Sequence, residues 1–137
     1  MAVGVFEKPL NIAISTCQNF DEVLYICKDY EQCFTRGDYT PVFCLDRQAV
    51  DEWKTISGDD TPGLCRYKHP DNPIYIFGKD AGMKMASHLL QLLDGKHEIN
   101  TLTIDTTPNS VFWYAQAIAI VLYDKWYKHE MAMENVI

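Results

Sequence analysis

The sequence predicts an α/β domain in which a mostly parallel sheet is sandwiched by helices. Three observations lead there. Short apolar runs rich in β-branched residues alternate with longer stretches whose apolar residues recur every three or four positions. Turn-forming Gly, Pro, Asp and Asn separate them. The chain also has 137 residues and 47% hydrophobic content, which suits one real core, so residues 1–137 read as a single domain.

Residues 10–15 (LNIAIS) read as a first buried strand. Over residues 20–34, Phe20, Val23, Leu24, Cys27, Tyr30 and Phe34 fall in steps of three and four, which predicts a helix closed by Gly37. Residues 41–45 (PVFCL) predict a second strand, and Asp46 caps a helix that turns Ala49, Val50 and Trp53 inward. Residues 57–63 (SGDDTPG) form a turn-rich loop. Residues 64–67 are either a short strand or the approach to the next one.

Residues 73–77 (PIYIF) predict a buried strand and residues 83–93 a helix ended by Asp94-Gly95. Residues 101–104 predict the last strand, and one long helix runs from Val111 to about Met133. There are no repeats, low-complexity tracts or linkers. In parallel sheets ligands lie beyond the carboxyl ends of the strands, so the turn after Phe77 is a candidate site.

Composition excludes several classes. No run of about 18 apolar residues appears, so no membrane span is expected. The opening MAVGVFEKPLN lacks a basic n-region and a long apolar h-region, and a cytoplasmic protein is expected. Cys17, Cys27, Cys33, Cys44 and Cys65 include no CxxC pair and no nearby His pair. Reduced, largely buried cysteines and no metal site are expected. A net charge of −7 argues against a broad nucleic-acid surface, although Lys54, Arg66, Lys68, Lys79 and Lys84 are free to gather on one face.

The turn itself fits no phosphate-cradling loop. Three residues separate Gly78 from Gly82, and Met83 stands where a Walker A loop has Lys. The residues after the expected first strand, beginning at Thr16, hold no glycine for a dinucleotide fingerprint. Gly78 and Gly82 read plainly as residues that let the backbone turn.

Taken in order, YIFGKDAG at residues 75–82, LTID at 102–105 and YAQAIAIVLYDKWY at 114–127 resemble the SPOUT class of RNA methyltransferases, and more closely its SpoU/TrmH-like ribose 2'-O branch. The likeness covers residues 72–127. It implies a C-terminal trefoil knot and a pocket for S-adenosylmethionine built largely from backbone. By position, Ile76, Phe77 and Gly78, then Leu102 and Ile104, then Asn109, Ser110 and Val111 would hold the cofactor. It also implies RNA, such as tRNA or rRNA, as substrate and a homodimer formed through the last helix.

The chain departs from the family at its catalytic positions. The family's first motif carries Asn, a small Gly two residues on, and Arg six residues on; the expected first helix puts Glu22, Leu24 and Lys28 there. The glutamate of the second motif becomes Asp80, Asp105 replaces a proline, and Ser-Leu-Asn gives way to NSVFWYAQA. Methyl transfer to a hydroxyl requires alignment and a base or a stabilising cation. Lys28 is the candidate cation, with Asp80 or Glu22 as base or orienter; the plainer readings are a solvated lysine, a turn carboxylate and first-turn helix charge. Phe112, Trp113 and Tyr114 read as packing. Two alternatives remain open: a SPOUT-like protein that binds without transferring, and an unknotted flavodoxin-like domain.

Overall fold

The structure is a computed structural model that describes residues 2–6, 8–29, 31–35, 37–78, 98–107 and 112–136. Five strands form one all-parallel sheet: β1 (Ala2–Val5), β2 (Val23–Ile26), β3 (Thr40–Leu45), β4 (Pro73–Phe77) and β5 (Asn100–Thr103). Their order is β2-β1-β4-β3-β5. Three helices are described: α1 (Asn11–Asn19), α2 (Arg47–Ser57) and α3 (Tyr114–Val136).

β3, β4, β5 and α2 lie where the sequence places them. All five residues of β4 are buried, as its unbroken apolar run requires. Asp46 caps α2, its carboxylate accepting from Ala49 N–H at 2.7 Å. Gly58 ends the helix in the left-handed region at φ 79°, where a side chain would be strained.

The first third differs from expectation. Residues 11–19 are helical, not a strand: Ala13 and Cys17, four apart, are the buried pair, while Ile12 and Ile14 face outward. Phe20 ends that helix, Asp21 takes φ 56°, and β2 follows. The expected helix over 20–34 is thus a turn, an edge strand and a 3-10 turn at Glu31–Phe34. The first strand is β1, a four-residue AVGV stretch buried throughout. A β-carbon on Gly4 would lie 2.7 Å from the Ile76 Cδ1, so the gap beside β4 favours glycine. Residues 64–66 form a 3-10 turn, and the final helix starts at Tyr114. The helix expected at 83–93 lies outside the described residues.

Alternate side chains of the strands feed two cores. Val3, Val5, Tyr75, Phe77 and Leu102 pack under α1 and α3. Ala2, Phe43, Leu45, Ile74 and Ile76 pack under α2, whose Trp53 is 1% exposed. Emptying the Trp53 site by Trp53→Ala would cost about 3–5 kcal/mol.

The connection from β3 to β4 takes an indirect route. It descends one face of the sheet as α2 and then runs beside the outer edge of β5. There Gly63 bridges Thr103 in parallel, and Thr103 N–H donates to the Pro62 carbonyl at 3.0 Å. It continues onto the other face, where Leu64 joins the α1/α3 core and Lys128 of α3 donates to the carbonyls of Leu64 and Tyr67. Only then does it enter β4. Residues 46–72 therefore wrap around β5.

Candidate functional site

Because every strand is parallel, all five carboxyl ends lie on one rim. Ile76 pairs with Phe43, and Phe43 with Thr101, so β4, β3 and β5 end side by side with β3 in the middle. This brings Ile76, Phe77 and Gly78 to one flank and Leu102 and Ile104 to the other. Asp80, Asn109, Ser110 and Val111 lie outside the described residues.

Between the flanks is a crevice lined by Leu45, Arg47, Leu102, Thr103, Ile104 and Phe112. The volume enclosed by the described residues is about 10 Å³, room for one water. The buried Asp46 carboxylate lies in the same lining, and Arg47 Nε and Thr103 Oγ1 there have no hydrogen-bond partner among the described residues. Thr103 is 2% exposed, so its hydroxyl has no recourse to bulk water. A buried donor and a buried hydroxyl left unmatched at a strand-end crevice are what a polar ligand would satisfy.

Arg47 was not singled out by sequence reasoning. It follows the capping aspartate and reads as first-turn helix decoration. The usable signal was its position after a strand destined for the centre of the rim, and that depends on strand order.

Of the proposed catalytic groups, the two that are described, Lys28 and Glu22, are not brought together. Phe77 pairs with Val5, and Val5 with Ile26, so Lys28 shares the carboxyl rim but sits two strands from β4, about 10 Å away. Lys28 is exposed, and its backbone N–H donates to Gln32 Oε1 at 2.7 Å. Glu22 lies elsewhere: it precedes β2 on the opposite, amino rim, roughly 20 Å of extended chain from Lys28. The physical reason is that these residues flank a strand instead of sharing a helical face. Burial raises the Glu22 carboxyl above its ordinary pKa, the nearby Asp21 adding to this and Lys125 opposing it.

The aromatic trio divides. Tyr114 is buried and its hydroxyl accepts from Leu10 N–H at 2.7 Å, anchoring the start of α1. Phe112 packs against the core, whereas Trp113 is 63% exposed. The cysteines behave as small hydrophobes: Cys17, Cys27, Cys33 and Cys44 are buried, Cys65 is exposed, and none of the five is in a disulfide. Among the described residues no cluster could hold a metal and no helix is long and apolar enough to cross a membrane.

A polar chain that sequence reasoning missed runs under α3. The hydroxyl of Tyr75 lies 2.6 Å from His69 Nδ1, and His69 Nε2 lies 2.7 Å from Asp124 Oδ2. The same carboxylate oxygen is 2.8 Å from Lys128 Nζ. A carboxylate only accepts, so Nε2 carries the proton and Nδ1 accepts from the phenol. Burial lowers the His69 pKa against the opposing pull of Asp124, and burial raises that of Tyr75. Every member is matched, which makes this a structural clasp holding α3, the wrapping segment and β4 together.

Comparison with protein-family models, curated proteins and solved structures finds no match to this chain.

Proposed function

We propose that the chain is a SPOUT-like domain that binds S-adenosylmethionine at its carboxyl rim and methylates RNA, at a ribose 2'-hydroxyl. The observation that carries this reading is the passage of residues 46–72 around β5, with Arg47 Nε and Thr103 Oγ1 unmatched inside the rim it encloses. A chain that loops around a strand is rare among protein folds. It is the kind of threading a C-terminal knot requires, and the family likeness named one independently of the strand order.

The chemistry of the two unmatched groups suits such a cofactor. A guanidinium is a fixed donor for a carboxylate, which the methionine part carries, and a buried hydroxyl suits a ribose hydroxyl. The bound group would supply an electrophilic methyl. Arg47 would orient the carboxylate end, and the backbone at Ile76, Phe77, Gly78, Leu102 and Ile104 would line the remainder. Homodimerisation would bury the outer faces of α1 and α3, which pack together and expose Ile12 (63%) and Tyr123 (54%), with Trp113 (63%) just before α3.

A second reading, binding without transfer, is favoured by one residue. On the helix that follows the first strand, the family's spacing of Asn, small residue and Arg falls on Asn11, Ala13 and Cys17. Cys17 is 1% exposed, and burial, with Glu22 nearby, pushes its thiol up to about 11, so that position supplies no positive charge. Incubation with RNA and S-adenosylmethionine bearing a labelled methyl separates the two. Label transferred to RNA supports the enzyme; saturable binding with no transfer supports the binder; neither refutes both.

A further inference from the structure

The amino rim, opposite the proposed cofactor site, carries a cavity of about 670 Å³, within the roughly 300–1,000 Å³ range of small-ligand pockets. Two members of the matched clasp, His69 and Lys128, form its floor, both held by Asp124 behind them, with the His69 side chain 6% exposed. Such a floor is rigid and already satisfied.

The walls offer three kinds of chemistry. Lys68 and Lys125 contribute ammonium groups that make no hydrogen bond or ion pair with the described residues. Lys128 is committed to Asp124 and two carbonyls. Three of the chain's twelve Lys and Arg residues thus meet at one cavity in a protein of net charge −7. Trp126 stands half exposed on the wall. An indole face left open to water is a stacking surface for a flat ring.

Glu22 and Asp71 also line the cavity, so its charge is balanced, not positive. A simple polyanion would gain from the lysines and be repelled by the carboxylates. A ligand suited to both must pair an anionic group with hydrogen-bond donors and an aromatic plane. A nucleotide does so: its phosphate meets ammonium groups, its ribose hydroxyls donate to a carboxylate and its base stacks.

We propose that the cavity between α3 and residues 67–72 binds a nucleoside monophosphate, free or as one unit of a single strand, with Lys68 and Lys125 on the phosphate, Trp126 against the base and Glu22 toward the ribose. This stands on the amino rim alone and does not rest on the cofactor reading.

The test titrates CMP, AMP and a single-stranded RNA hexamer into the Trp113→Phe variant, whose remaining exposed tryptophan is Trp126. Inorganic pyrophosphate and uncharged cytidine serve as controls. Saturable quenching by the nucleotides is expected, with affinity weakened at least about tenfold in Lys68→Gln/Lys125→Gln, which keeps side-chain size and removes charge. Lys54→Ala, on the exposed Lys54–Asp60 pair, should leave binding unchanged. Tighter binding of the hexamer identifies a strand as the source, and equal or weaker binding a free nucleotide. Three results would overturn the proposal: no saturation by about 10 mM nucleotide, pyrophosphate binding as tightly as CMP, or full binding in the double lysine variant.

Discussion

Gly63 pairs with Thr103 across the outer edge of β5, forty residues apart in sequence, and a β-carbon on Gly63 would clash with Asp105 Oδ1. The same aspartate accepts from Cys65 N–H at 2.6 Å. The wrap is thus fixed at a point that leaves no room for a side chain.

Gly63→Ala should therefore destabilise the fold by about 1–3 kcal/mol, the usual range for overpacking. Asp105→Ala removes both the clash and one hydrogen bond. The double variant should cost less than the sum of the singles, since one change relieves the other. Denaturant unfolding of all four proteins checks this, and strict additivity would mean the two residues do not touch.

The clasp at His69 predicts a pH dependence. Its folded pKa lies below the ordinary 6.5, so between those values the unfolded chain binds more protons than the folded one. Its contribution to stability is full above about 6.5, declines as pH falls through that window and levels off below the folded pKa. His69→Gln supplies a donor and an acceptor but does not titrate. The fall in Tm between about pH 7 and 5 should be shallower in the variant, and superimposable profiles would contradict the assignment.

How far the sequence led depends on the element. β4 and β3 are uninterrupted apolar runs, and Asp46 with Gly58 brackets α2, so those were legible. The first third was not. Ile12 and Ile14 alternate like a strand but are exposed on a helix, because the buried pair there is Ala13 and Cys17, both small. β1 was missed because Ala2 and Gly4 have weak strand preference; the close approach of β4 favours Gly4, which only the fold reveals. Arg47 and Thr103 became a pair only once β3 was seen to lie beside β5.

Asp46 carries a separable role. Removing its carboxylate in Asp46→Ala should cost about 0.5–2 kcal/mol through loss of the α2 cap. Asp46→Asn should recover most of that, since an amide oxygen also caps. Thermal unfolding of both variants distinguishes a cap from a charge effect.

The outer faces of α1 and α3 should govern association. Ile12→Asp and Tyr123→Asp place charge on residues that are 63% and 54% exposed, so monomer stability should change by no more than about 0.5 kcal/mol. Sedimentation should show a dimer for the parent chain and a monomer for the double variant. A parent chain that sediments as a monomer at all concentrations would remove dimerisation from the account.

The measurement that bears most directly on the carboxyl-rim site is thermal unfolding with S-adenosylmethionine or S-adenosylhomocysteine, run on the parent chain and on Arg47→Gln. Ligand at about a hundred times its Kd should add roughly 2.7 kcal/mol, a rise of several degrees for a domain of this size. The shift should shrink in the Arg47 variant. No shift in the parent chain with either ligand at millimolar concentration would contradict the cofactor site.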